Sequence, residues 1–275
     1  MKKSIFYEHI AEAAKQENTS DSEMASYAVS LGYCGCDVPW RSAESFCRIA
    51  NIVEGAGMKI ASAYRFWDIF SPLDSVDADN FFKTLADHGC LTAMIIPWKA
   101  EKKPFTEEDL IAVLGALRRL CTMAKDYDIT VTVEDFDSND IIINNTKALK
   151  KAFDAIPELY HSFDTGNYSF FKESETEAFE LFGDRIKNVH IKDRAFAPQA
   201  DDDAPRPLYD GSPSYACAVG KGSLKIRECL RLLRETGYDG YLSVEQFGHR
   251  KMKDAIRESA EFLDNEICFD LSFEE

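Results

Sequence analysis

Apolar positions along the 275-residue chain switch repeatedly between a spacing of three to four and a spacing of two. The first is the period of a helix face and the second that of a strand. Ser20-x-x-Glu23 forms a capping box, and Met24, Tyr27, Ala28 and Leu31 follow at helical spacing up to Gly32. Residues 34–38 read as a strand, 42–56 as a helix closed by Gly57, and 59–64 as the next strand. A helix over 76–88 ends before Gly89, and 91–96 is a buried strand stopped by Pro97. Thr106 caps the clearest helix, with Leu110, Val113, Leu114, Leu117 and Leu120 on one stripe. Strands at 129–134, 159–164, 186–190 and 241–245 then alternate with helices near 145–156, 174–182, 223–236 and 251–264. Residues 4–10 supply the first strand. Eight such units of about 34 residues predict an α/β chain, a single (β/α)8 TIM barrel spanning residues 1–275. An open doubly wound sheet is the alternative. Its dinucleotide turn is missing, because Lys225 stands where the third glycine after Gly220-x-Gly222 belongs.

Side chains alternate faces along a strand. In Thr130-Val131-Thr132-Val133-Glu134, the valines share one face and the threonines and Glu134 the other. The same parity pairs Ser162 with Asp164, Asn188 with His190, and Ser243 with Glu245. Each of the last four strands thus ends on a metal-capable residue, with a small polar residue two positions earlier. In a flat sheet four strand ends spread over about 14 Å, whereas one ion's ligands lie about 2–2.6 Å from it. Closure into a barrel lets them converge at the mouth. A single strand-end carboxylate is more often a helix cap or an ion-pair partner. Three carboxylates at one mouth repel one another, and a divalent cation removes the conflict. Glu134, Asp164, His190 and Glu245 are therefore expected to hold one metal ion. Three oxygen donors and one imidazole suit Mn²⁺ first, with Co²⁺, Mg²⁺ or Zn²⁺ as alternatives.

Composition narrows the partners. A net charge of −16 opposes a phosphate backbone, and the short cluster His249-Arg250-Lys251 with Lys253 does not overcome it, so nucleic acid is excluded. No apolar run reaches membrane-span length, and Glu8, His9 and Glu12 interrupt any leader-like stretch, so a cytoplasmic protein is expected. A homo-oligomer is compatible with this. The eight cysteines lack C-x-x-C pairing and read as reduced core residues.

Val131-x-Val133-Glu134, Phe163-Asp164-Thr165-Gly166-Asn167, Val189-His190-Ile191-Lys192-Asp193, Gly220-x-Gly222 and Gly237-Tyr238-Asp239-Gly240-Tyr241-Leu242-Ser243-Val244-Glu245 resemble, in order, the motifs of the xylose-isomerase-like sugar phosphate isomerase/epimerase family. The match covers nearly the whole chain and is firmest from about residue 129. The resemblance implies the same four ligands around one divalent metal, with Glu134 and Glu245 as acid–base groups. Asn167 stands where many members carry histidine; it can hydrogen-bond a hydroxyl but cannot titrate near neutrality.

The expected function is a metal-dependent sugar isomerase or epimerase acting on a carbohydrate through an enediolate, with Glu134 and Glu245 as the catalytic pair. A dehydratase on a keto-polyol is the alternative. A non-catalytic sugar-binding barrel and an AP endonuclease-like protein rank lower, since five histidines are too few for a three-zinc cluster. Substrate contacts are expected from Asn167, Lys192, Arg194, Arg65, Trp67 and Trp98. Each has a plainer alternative in packing or ion pairing. His161 faces outward by parity and reads as a core histidine, and His249 as a surface residue near the mouth. Residues 194–222 form a long loop at the ligand end, expected to act as a lid, with Asp201-Asp202-Asp203 as solvated surface.

Overall fold

The computed structural model describes residues 1–68, 73–98, 104–199 and 204–268. The chain runs β1 (Lys2–Phe6), α1 (Tyr7–Glu17), α2 (Asp21–Ser30), β2 (Gly35–Pro39), α3 (Ala43–Gly55), β3 (Lys59–Asp68), α4 (Ser75–Asp87), β4 (Thr92–Trp98), α5 (Glu107–Ala124) and β5 (Thr130–Val133). It continues through α6 (Thr146–Ala155), β6 (Tyr160–Asp164), α7 (Glu175–Phe182), β7 (Ile186–Ile191), β8 (Arg194–Ala195), β9 (Arg206–Pro207), β10 (Pro213–Ala216), α8 (Ile226–Glu235), β11 (Tyr241–Val244) and α9 (Met252–Cys268). Eight parallel strands close in the order β1-β11-β7-β6-β5-β4-β3-β2, the predicted (β/α)8 barrel. Helices enclose it. Val131, Val133, Phe163, Val189, Leu242 and Val244 face outward into the main apolar core. The predicted capping box forms at Ser20 with Glu23, and Thr106 caps α5 as expected, in a second box completed by Asp109.

Besides β3, which runs on to Asp68 instead of ending at Tyr64, three elements differ from the sequence expectation. Residues 4–10 are not one strand: β1 ends at Phe6 and α1 starts at Tyr7, burying His9, Ile10, Ala13 and Ala14. Phe6 offers no side-chain cap, so no polar signal marks the start. Pro97 does not stop β4, which runs to Trp98. Past Met94 the ladder to β5 has ended, so proline's missing N–H breaks no bond on that side. The loop after β7 is not bare: β8, β10 and β9 form a small antiparallel sheet in that order. Two-residue strands are too short to leave a period in sequence. The expected surface run Asp201–Asp203 lies outside the described residues.

The inner face of the barrel is not uniformly apolar. Ser4, Asp37, Ser62, Thr132, Ser162, Asn188 and Ser243 form a buried polar layer. Above part of it, Phe6, Tyr64, Met94, Ile96 and Ile141 make a second, smaller apolar cluster inside the barrel.

Candidate metal centre

The polar layer positions the residues above it. Thr132 and Ser162 share a hydroxyl hydrogen bond of 2.8 Å, and the Asn188 amide donates to Ser162 at 3.3 Å. One step up each strand, Glu134, Asp164, His190 and Glu245 bring one ligand atom each within 4.8 Å of all the others. All four are buried. His190 Nδ1 lies 3.1 Å from Glu134 Oε2, 3.6 Å from Glu245 Oε2 and 4.0 Å from Asp164 Oδ2.

The local sequence explains this aim. Asp164 Oδ1 accepts the backbone N–H groups of Gly166 (2.7 Å) and Asn167 (2.8 Å), so the turn after β6 locks the carboxylate. Thr165 ties that turn to the end of β7, accepting the Lys192 N–H at 2.9 Å and donating to the Lys192 carbonyl at 2.8 Å. Gly166 leaves room for the Lys192 side chain, since a Cβ there would stand 2.6 Å from Lys192 Cγ. The Gly220-x-Gly222 turn binds a carboxylate of its own chain: Asp193 Oδ2 accepts the N–H groups of Gly220 (3.0 Å) and Gly222 (2.9 Å).

The donor set fits a divalent cation. Asp164 Oδ2 is buried, has no hydrogen-bond partner and faces the imidazole. A desolvated carboxylate oxygen without a donor is costly, and a cation satisfies it. Burial, together with the charges of Glu245 and Glu134, holds the Asp164 carboxyl well above the usual range against the pull of Lys192. Burial likewise raises Glu134. Burial acts upward on Glu245 too, but Lys192 and His190 outweigh it and draw that carboxyl down to about 2. Burial disfavours the His190 cation, yet Asp37 and Glu134 outweigh it and hold the imidazole well above its ordinary value. The upward push on Asp164 and Glu134 has one cause, burial of several negative groups at one place, and a cation there would offset it.

Asp37 is the residue the strand-end pattern missed. It is buried on the inner face of β2 and accepts hydroxyl bonds from Ser4, Ser62 and Ser243. Its Oδ2 lies 3.5 Å from His190 Nε2, on the ring edge away from the cage. A carboxylate there fixes which imidazole nitrogen faces the ion. Its signal was present: one acid within an apolar strand, at the same parity as Gly35.

The expected substrate contacts divide. Lys192 reaches the cage: its Nζ lies 2.5 Å from Glu245 Oε1 and 2.7 Å from Asn167 Oδ1. Arg194 is buried and pairs with Asp137, which also meets Lys192 at 3.4 Å and Arg206 at 3.7 Å. Trp98 shares the inner parity of Met94 and Ile96 and is 37% exposed at the mouth. Arg65 and Trp67 are not brought to the cage. The third strand runs on to Asp68, so both fall on its outer parity. Arg65 pairs with Asp77 of α4 and lies 3.8 Å over the Trp67 ring, which packs against Phe81. His161 is the expected core histidine, bonded to the Val133 carbonyl (3.1 Å) and the Tyr168 hydroxyl (2.7 Å). His249 is half-buried in the loop after β11. No helix among the described residues is long and apolar enough to cross a membrane.

Comparison with known proteins agrees with the fold. The chain is 26% identical over 249 residues to an inosose dehydratase of Clostridium botulinum, covering 84% of this chain and 83% of that protein. Its fold resembles a D-allulose 3-epimerase from Methylomonas, with a TM-score of 0.72 at 14% identity, covering 97% of this chain and 98% of that one. It also resembles a mannonate dehydratase from Streptococcus suis, with a TM-score of 0.70 at 11% identity, covering 97% and 93%. The family described as xylose isomerase-like TIM barrel matches residues 27–266, and the chain belongs to that family.

Proposed function

We propose that the protein is a divalent-metal-dependent dehydratase that removes water from a ketone-bearing polyol through an enediolate. The observation that carries this reading is the inequality of the two glutamates. Epimerisation needs a proton taken from one face and returned on the other by two comparable groups. Here Glu245 Oε1 is engaged by the Lys192 ammonium, while Oε2 faces the cage. Among the described residues, the ion-pair partner of Glu134 is His190 alone. Glu134 is then the base, and Glu245 a fixed ligand. The relative of 26% identity, an inosose dehydratase, supports the same direction.

A bound ion, Mn²⁺ by the donor set, would polarise the ketone and offset the charge of the enediolate. The chain does the rest. Glu134 takes the proton from the carbon beside the ketone. Asn167 holds a substrate oxygen through its amide, Lys192 pins Glu245 and Asn167, Arg194 braces the loop behind them, and Trp98 bounds the mouth. The small sheet β8–β10–β9 serves as a lid, fastened through Arg194 and Arg206 to Asp137. Seven described cysteines are free, which supports a reducing, cytoplasmic setting.

Epimerisation stays as the second reading, because both glutamates still stand in the cage. The test is incubation of the Mn²⁺-loaded chain with an inosose and with D-allulose in D₂O. A dehydratase releases water from the polyol ketone; an epimerase returns a deuterated isomer. Glu134→Gln is expected to slow deuterium entry about 10³-fold. An unchanged rate in metal-loaded Glu134→Gln would overturn the assignment of the base.

A further inference from the structure

The apolar side of the mouth carries one carboxylate that the cage does not use. Glu8 lies in the first turn of α1, two residues beyond Phe6. The Tyr64 hydroxyl, from β3, donates to its Oε1. Its Oε2 is buried and has no hydrogen-bond partner. It stands near the metal centre: Glu245 of the cage acts on its carboxyl, and the Phe6 ring lies 4.8 Å from that of His190 and 5.3 Å from that of Tyr64. Glu8 and Phe247 also line a cavity of about 720 Å³. Phe247 also packs on the inner apolar cluster, so cavity and mouth share a wall.

Water loss from an enediolate needs a proton donor for the departing hydroxyl, because hydroxide is a poor leaving group. Lys192 is badly placed for the task, with its ammonium engaged by Glu245 Oε1 and Asn167 Oδ1. We propose that Glu8 Oε2 binds the departing hydroxyl and gives it a proton, with Tyr64 holding the carboxyl in place. This rests on the water-loss reading of the same site. The groups acting on Glu8 are Tyr64 of β3, Arg41 beyond β2 and Glu245 beyond β11. Burial raises its pKa and Glu245 adds to the rise, while Tyr64 and Arg41 act against it.

The step balances. Glu134 takes the proton from carbon, and the electron pair left behind forms the enediolate. That pair expels the β-hydroxyl as the C–O bond breaks. The departing oxygen takes the proton of Glu8 Oε2 and leaves as water. Glu134 ends protonated and Glu8 ionised, and exchange with solvent restores both.

The experiment follows deuterium entry and water loss together, with an inosose in D₂O, for the Mn²⁺-loaded chain and for Glu8→Gln and Tyr64→Phe. Glu8→Gln is expected to keep the metal content of the wild type and to hold deuterium entry within about twofold, while losing water about 100-fold more slowly. Tyr64→Phe slows water loss about fivefold, the weight of one hydrogen bond. Equal slowing of both steps in Glu8→Gln, no slowing of either, or loss of the ion overturns the role of Glu8 and leaves the dehydratase reading standing. A wild type that neither exchanges nor loses water overturns both.

Discussion

Around the barrel mouth, β5, β6, β7 and β11 carry Glu134, Asp164, His190 and Glu245 at or next to their ends, whereas β1, β3 and β4 present Phe6, Tyr64, Met94 and Ile96. The charged half gathers three carboxylates and an imidazole in space where a divalent ion fits. The apolar half walls that space off, and the Phe6 ring stands edge-on to the His190 ring at 4.8 Å. A low-dielectric wall strengthens every charge interaction beside it. Under the proposed function the two halves differ in work: one would hold the metal and the base, and the other would exclude water and wall the substrate.

Substitutions can break that division. The largest effect is expected from Asp164→Asn, which removes the oxygen that lacks a partner. Metal affinity by equilibrium titration falls about 10³-fold, in line with the roughly 4 kcal/mol attached to one partner of a buried charge pair. Met94→Ala, on the apolar half, is expected to act the other way. Chemical denaturation shows a loss of about 3 kcal/mol in stability, while metal affinity stays within about twofold. A large drop in affinity there would join the two halves into one unit. Asp37→Asn should weaken metal binding about 10- to 100-fold through the orientation of His190, with little change in overall stability.

The smallest effect is a pH slope. Burial drives the His9 imidazole down to about 3 and that of His161 down to about 4. Below about pH 6.5 the unfolded chain binds protons that the folded chain refuses, so stability falls as pH drops from there toward those values. Each imidazole contributes about 1.4 kcal/mol per pH unit in that window. His161→Gln, followed by urea unfolding of the metal-free protein between pH 6.5 and 5, should flatten the slope by that amount. An unchanged slope would mean that His161 charges within the fold.

The charged half was legible in the sequence because its signal is repetitive. Thr132 with Glu134, Ser162 with Asp164, Asn188 with His190 and Ser243 with Glu245 repeat one parity in four strands. A closed parallel barrel turns that parity into convergence. The apolar half left no such mark, since Phe6, Met94 and Ile96 are what any buried strand contains. Arg65 and Trp67 are expected at the mouth only if β3 stops at Tyr64; with the strand carried on to Asp68, the same parity puts both under α4. Glu8 was hidden differently. Its position at the mouth depends on α1 starting directly at Tyr7, and no capping residue announces that start.

One divalent ion is expected among Glu134, Asp164, His190 and Glu245. The most direct test is an anomalous-scattering map from crystals grown with Mn²⁺. A single strong peak is expected about 2–2.6 Å from a side-chain atom of each of the four residues. A peak elsewhere, or none at the cage in Mn²⁺-saturated crystals, would contradict it.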